Sequence, residues 1–195
     1  MKKIKVGIIG GAGYTGGELL RILVFHPNTD LVFVHSKSNA GNPISKVHTD
    51  LLGVTDLKFA SSMSWDIDVL FLCVGHGDAV KFLEDKEFQD FDKERNSKTK
   101  EALRIIDLSQ DFRIAKDGNN FIYGLPELQR DKIKSAKHIA NPGCFATCIQ
   151  LGLLPLAANN LLNDEIHISG ITGSTGAGQS LTATSHFSWR NNNMS

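Results

Sequence analysis

Gly10-Gly11-Ala12-Gly13-Tyr14-Thr15-Gly16-Gly17 is the stretch that most narrows what this chain can fold into. Lys3 to Ile9 leads into it as a short apolar strand. Leu19, Leu20, Ile22, Leu23 and Phe25 then give a helix its apolar face, and Pro27-Asn28 closes that helix. A second strand, Leu31 to His35, follows. Strand, glycine turn, helix and strand make a βαβ unit, in which missing side chains let backbone N–H groups approach a pyrophosphate at a helix N-terminus. A glycine run alone is a weak signal, but here the flanking elements supply the context it needs. Gly10, Gly11, Ala12, Gly13, Tyr14, Thr15 and Gly16 are therefore expected to bind a dinucleotide, on an α/β, Rossmann-type, doubly wound and mostly parallel sheet.

The end of the second strand bears on which dinucleotide. An NAD site places Asp or Glu there for the ribose 2′-hydroxyl, whereas this chain has His35-Ser36-Lys37-Ser38. Asp30 precedes the strand and belongs at its opposite end. Lys37 with the hydroxyls of Ser36 and Ser38 can take a 2′-phosphate, which favours NADP; the competing reading is a solvated lysine in a polar loop.

Further along, Pro43 to Leu52 is expected to hold a short helix, Leu57 to Ala60 a short strand and Asp68 to Val74 a buried strand. Gly75-His76 after that strand falls where strand carboxyl ends line the ligand crevice, so both are expected on the cofactor side, with no catalytic role for His76. Glu84 to Glu101, rich in both signs of charge, reads as a solvated helix and loop. Leu103 to Leu108 is another strand, and Arg113 in the following Ser109-Gln110-Asp111-Phe112-Arg113 is placed either to fork onto a carboxylate or phosphate or to make a surface ion pair. Tyr123 to Leu128 reads as a turn, and His138 to Ala140 as a short strand.

That strand feeds Asn141-Pro142-Gly143-Cys144-Phe145-Ala146-Thr147. With Asn141 as N-cap and Pro142 in the first helical position, Cys144 falls in the first turn, where unpaired backbone N–H groups favour a thiolate. A nucleophile and an inert cysteine behind an Asn-Pro-Gly turn both remain open at this point. The helix after it is apolar nearly all round and is expected to be buried, with Pro155 kinking or ending it and Cys148 as a small core residue. Asp164 to Ile171 reads as a strand, and Gly173 to Gly178 as a second glycine-rich turn suited to close approach to a flat ring.

Lys plus Arg equals Asp plus Glu, 21 each, so no overall field favours nucleic acid or an anionic membrane. No apolar run is long enough to span a bilayer, and the N-terminal one breaks at Gly10 too early for a signal peptide. Three cysteines without a CxxC pair argue against a disulfide scaffold and for a reducing cytoplasm, and no residue set has metal-ligand spacing. A small-molecule ligand is the expected partner.

Gly10 to Gly17, Asp107 to Arg113, Tyr123-Gly124-Leu125-Pro126-Glu127, Asn141-Pro142-Gly143-Cys144 and Gly173 to Gly178 together resemble, in order and up to about Gly178, the N-acetyl-gamma-glutamyl-phosphate reductases of arginine biosynthesis. The cysteine motif is the most specific part. The resemblance implies Cys144 as nucleophile, NADPH on the N-terminal glycines, Gly176 by the nicotinamide, and Ser109, Arg113 and Asn141 facing an acyl-phosphate substrate. It also implies two domains: an NADP-binding domain over 1–143, and over 144–195 the start of a second, glyceraldehyde-phosphate-dehydrogenase-like α/β catalytic domain. A homodimer or homotetramer is implied as well. Members of the family are longer, so the chain is expected to be cut short, with cofactor binding outlasting turnover. The family's acid–base histidine is expected beyond Ser195, because Ser185-His186-Phe187 does not match its motif. Aspartate-semialdehyde dehydrogenase, acting on aspartyl phosphate, is a rival reading in the same class, though its cysteine motif reads differently from Asn-Pro-Gly-Cys. Reductases of N-succinylglutamyl or N-acetylaminoadipyl phosphate, and a non-catalytic NADP-binding module, stay open as alternatives.

Overall fold

The computed structural model describes residues 2–99 and 101–178. Seven strands form one sheet: β1 (Ile4–Ile9), β2 (Thr29–His35), β3 (Phe59–Ala60), β4 (Val69–Leu72), β5 (Arg104–Asp107), β6 (Ile122–Tyr123) and β7 (His138–Ala140). They lie in the order β3-β2-β1-β4-β5-β7-β6, and every strand pair is parallel. β1 is central, with β2 on one side and β4 on the other, so the connections leave it in opposite directions. That reversal opens a crevice above the carboxyl ends of the strands.

The side-chain alternation of buried strands divides the core in two. Val6, Ile8 and Val34 pack with Leu20 and Leu23 of α1 (Tyr14–Leu23) and with Ile44 and Leu51, whereas Ile9, Phe33, Leu70 and Leu72 pack with Ala79 of α2 (Asp78–Glu84) and Phe88 and Phe91 of α3 (Lys86–Lys98). Helices therefore cover both faces, which is the doubly wound arrangement the sequence predicts. α4 (Pro126–Ser135) and α5 (Cys144–Ala158) complete the helices longer than one turn among the described residues.

Several sequence expectations need correction. The inward face of α1 is Gly16, Gly17, Leu20 and Leu23; Ile22 and Phe25 are exposed, because the stripe follows the 16, 20, 23 spacing and the apolar residues outnumber the positions it offers. Pro43 to Leu52 forms two 3-10 turns rather than a helix. The charged stretch from Glu84 is not merely a solvated surface. Phe88, Phe91 and Arg95, spaced three and four apart, form the buried underside of α3, each aromatic contributing about 1.5–3 kcal/mol by burial. Arg95 is 1% exposed and donates through Nε (3.1 Å) and Nη2 (2.9 Å) to the Ile67 carbonyl and through Nη1 (2.6 Å) to that of Glu101.

α5 has no buried residue, against the expectation from its composition, and Cys148 is exposed rather than core. An apolar helix is buried only where a second layer covers it; among the described residues the segment from Ile166 to Thr172 lines a cleft along it, and Gln150 Nε2 donates to the Tyr123 hydroxyl of β6 at 2.8 Å, which leaves the helix uncovered over much of its surface. Pro155 does not end the helix, which runs on to Ala158. Asp164 to Ile171 is not a strand: it has the apolar residues of one, but no neighbouring strand among the described residues pairs with its N–H and C=O groups.

Candidate active site

Five loops converge above the carboxyl edge, one each after β1, β2, β4, β5 and β7. The first is the glycine turn. Gly10 has φ +77°, and a Cβ there would stand 2.2 Å from the Cys73 carbonyl oxygen on β4's continuation. A Cβ on Gly11 would meet Val34 Cγ1 at 2.2 Å, and one on Gly16 the Gly10 oxygen at 2.6 Å. The turn is thus pressed flat against the sheet, and α1 begins at Tyr14 with Gly13 as an N-cap that offers no side chain to its first N–H groups. Those donors remain for an anion. Tyr14 and Thr15 are exposed in that first turn. A backbone cradle that Cβ atoms would fill, at a helix N-terminus, fits a dinucleotide pyrophosphate. His48 underpins it: buried, it places Nε2 2.7 Å from the Gly11 carbonyl oxygen. No sequence signal ties His48 to a turn 37 residues away.

After β2, Ser36 is buried and Lys37 and Ser38 are exposed. Asn39, not anticipated, joins them by donating Nδ2 to Ser36 Oγ (3.4 Å) and Ser38 Oγ (3.2 Å). Lys37 Nζ donates to Glu87 Oε2 at 2.9 Å, so it is ion-paired with the first turn of α3. His35 Nε2 is buried with no partner among the described residues, and burial lowers the His35 pKa, keeping the ring neutral.

The loops after β4 and β5 are stitched together. Asp111 accepts from the backbone N–H of Gly77 (2.7 Å), Ala79 (3.0 Å) and Val80 (3.3 Å), capping α2 from outside, while Gln110 N–H donates to His76 Nδ1 at 3.2 Å. Gly75 and His76 are exposed on that rim. Ser109 is fully buried. Its hydroxyl donates to Asp107 Oδ2 (2.8 Å) and accepts from Asp111 N–H (3.1 Å), so it shapes the loop from inside. Burial pushes the Asp107 carboxyl pKa up, against its two bonds from Ser109. Asp111→Ala strands three backbone donors, and we expect it to lower stability by about 1–2 kcal/mol in denaturant unfolding, with Asp111→Asn losing less. An unchanged midpoint for the alanine variant would show that the cap is idle.

Arg113 continues the stitching to the last loop. Its Nε donates to the Asn141 carbonyl (2.8 Å) and its Nη2 to that of Leu108 (3.0 Å), and Nη1 lies 2.9 Å from where a Gly143 Cβ would be. The guanidinium therefore braces the turn that leads into Cys144. Asn141 is not the N-cap: its Nδ2 turns back to the Pro142 carbonyl (3.1 Å), and Gly143 takes the cap position, leaving Cys144 as the first helical residue. The proline is buried in the approach to the helix instead of opening it. Cys144 remains in the first turn, whose N–H groups have no side-chain cap among the described residues, and it is exposed. It opens on a cleft of about 620 Å³ between α5 and the 166–172 segment, shared with Cys148 and His167. Cys73, by contrast, is buried, and burial together with nearby Asp107 pushes its thiol pKa up to about 12.

Gly176 sits in a 3-10 turn, Ser174–Ala177, beside Thr172. No hydrogen bond joins that turn to the cradle among the described residues. His186 lies outside the described residues. Among the described residues, no cluster of three or more His, Cys, Asp or Glu could hold a metal, and no helix is long and apolar enough to cross a membrane.

Comparison with known proteins gives the arrangement its relatives. The semialdehyde dehydrogenase NAD binding domain family matches residues 5–136, and the semialdehyde dehydrogenase dimerisation domain family matches residues 144–195. Proteins named N-acetyl-gamma-glutamyl-phosphate reductase from Phocaeicola vulgatus and Flavobacterium johnsoniae are 58% and 53% identical over 193 and 196 residues, in each case 98% of this chain. The chain spans 56% and 57% of their lengths. Among solved structures, aspartate semialdehyde dehydrogenase with NADP from Candida albicans superposes with a TM-score of 0.59 at 16% identity, over 82% of this chain and 48% of the other. Aspartate semialdehyde dehydrogenase II from Vibrio cholerae, complexed with ASA, gives 0.57 at 16% over 80% and 47%. These two likenesses speak for the fold.

Proposed function

The chain belongs to the semialdehyde dehydrogenase family, and from that premise we propose that it serves NADPH-dependent reduction of N-acetyl-gamma-glutamyl phosphate to the semialdehyde, with release of phosphate. The observation that carries this is the loop from Ser109 to Arg113. At one end it grips the β4 loop beside the glycine cradle, and at the other it braces the turn bearing Cys144. Cofactor cradle and nucleophile are thereby held on one rim. The acyl group is assigned from the relatives' name and their identity to this chain.

In this reading the Cys144 thiolate attacks the acyl-phosphate carbonyl carbon, a C–S bond forms, and the C–O bond to phosphate breaks with its electron pair leaving on phosphate. The N–H groups at the start of α5 favour the attacking anion. Bound NADPH supplies the hydride that takes the acyl group from the acid to the aldehyde oxidation level. Expulsion of the aldehyde returns Cys144 as thiolate. Gly10, Gly11, Ala12, Gly13, Tyr14, Thr15 and Gly16 hold the pyrophosphate, Ser36, Lys37 and Ser38 the 2′-phosphate, and Gly75 and His76 the cofactor side of the rim. Gly176 near the nicotinamide follows from the family resemblance. Arg113 and Asn141 face the substrate through the turn they shape, and Ser109 acts from beneath.

The division at 143/144 is supported by one matched family ending at 136 and the other starting at 144. The second family's description supports a homo-oligomer, and a cytoplasmic site fits free cysteines at 144 and 148. NADPH oxidation by the natural full-length protein is the direct test, comparing N-acetyl-gamma-glutamyl, N-succinylglutamyl and aspartyl phosphates. We expect the first to be turned over with the highest kcat/KM. A preference for either of the others would overturn the acyl assignment, and no oxidation with any of them would overturn the reaction.

A further inference from the structure

The group placed to bind a 2′-phosphate is already ion-paired with a carboxylate from the first turn of α3. Lys37 Nζ donates to Glu87 Oε2 at 2.9 Å, with the two side chains 74% and 44% exposed. Glu87 does not arrive there by chance of a floppy surface. It is in the first turn of α3, Asp85 caps that turn by accepting from its N–H at 2.8 Å, and its neighbour Phe88 is buried in the core. Asp85 is committed to the cap, which leaves Glu87 as the carboxylate aimed at the lysine. Around Lys37, the Ser36, Ser38 and Asn39 side chains are bonded to one another and, among the described residues, to no charged group. The set of donors is one for a phosphate, and Glu87 holds the lysine that would complete it.

We propose that Glu87 is a specificity-determining residue: its carboxylate competes with the 2′-phosphate for Lys37 and so limits the preference for NADPH over NADH. The proposal rests on the reading of the glycine cradle as an NADPH site. A phosphate approaching the Ser36–Asn39 corner must part an ion pair and then sit beside a like charge, whereas NADH, with a hydroxyl there, meets neither cost. The pair is exposed and individually weak, so it yields to the phosphate and sets a modest penalty. The penalty is electrostatic and shrinks as salt rises, over the Debye length of about 10 Å at 0.1 M.

The test is titration of the natural full-length protein with NADPH and NADH, followed by nicotinamide fluorescence, for wild type, Glu87→Gln, Lys37→Ala and the double variant. Glu87→Gln keeps size and hydrogen bonding while removing the charge. It is expected to tighten NADPH about threefold to tenfold at low salt, with NADH changed less than about twofold and the gain reduced at about 0.5 M salt. In the Lys37→Ala background the gain should shrink, because the contested cation is gone. Unchanged NADPH affinity in Glu87→Gln overturns the role of Glu87. So does weakened NADH with NADPH unchanged, which would make Glu87 an acceptor for the ribose hydroxyl. Wild type that prefers NADH and ignores Lys37→Ala overturns instead the NADPH reading on which the proposal stands.

Discussion

Cys144→Ser is expected to reduce turnover of the acyl phosphate on the order of a thousandfold or more while leaving NADPH affinity unchanged. A serine hydroxyl is not ionised near neutral pH, so the favourable field at the start of α5 has no anion to act on. The cradle after β1 contains no part of Cys144, which is why binding and chemistry should separate. Steady-state NADPH oxidation and a fluorescence titration on the same preparations measure the two. Alkylation of the native protein near neutral pH gives an independent check: Cys144 should label first and Cys148, exposed but beyond the first turn, second. Cys73, buried with its thiol pushed up to about 12, should be spared. A serine variant at full rate, or native labelling led by Cys73, would remove Cys144 from the mechanism.

The second large effect is expected at Gly10. Alanine there meets two obstacles at once, a φ of +77° and a Cβ 2.2 Å from a carbonyl oxygen that belongs to the sheet's own edge. Backbone strain alone costs about 1–2 kcal/mol, and the clash forces the turn off the sheet, for a total of about 2–4 kcal/mol. Since about 1.4 kcal/mol is a factor of ten in affinity, displacement of the cradle should weaken NADPH by roughly a hundredfold. Gly41→Ala is the matched control, with φ +80° but nothing within 4 Å of its Cβ. It should show the strain in denaturant unfolding without the loss of cofactor. Native NADPH affinity in Gly10→Ala would mean that the turn does not hold the pyrophosphate.

Where local pattern and tertiary context agree, the sequence was readable. The glycine turn, the strands β1, β2, β4, β5 and β7 and the order of loops on the rim follow from apolar runs punctuated by glycine and polar residues. The failures have physical causes of their own. Phe88 and Phe91 were hidden because α3 carries a narrow apolar stripe among many charges, and Arg95 because a buried arginine satisfied by carbonyls looks like any surface cation. Asn141 has the chemistry of an N-cap, but Arg113, 28 residues away, holds its carbonyl, and the N-cap falls at Gly143. Of the candidate site, the place of Cys144 in the first turn of α5 and the close packing of the glycine turn were legible from residue type and neighbours. His48 under Gly11, Glu87 paired with Lys37 and Asp111 over α2 were not, because each acts across a distance in sequence that only the fold closes.

The central position of β1 also governs when the cradle comes into being. β1 is made well before β4, yet one of its two edges pairs with β4, and the Lys5 backbone N–H bonds to Asp68 across 63 residues of chain. At about 5–20 residues per second of synthesis, that edge stays open for roughly three to thirteen seconds after it emerges. Through that interval the β1–α1–β2 unit can form, but the Cys73 carbonyl against which Gly10 rests is not yet in place. The nascent protein therefore carries an unpaired apolar strand edge, which is exposed to misassociation, and gains a ligand-stabilised state only once β4 has docked.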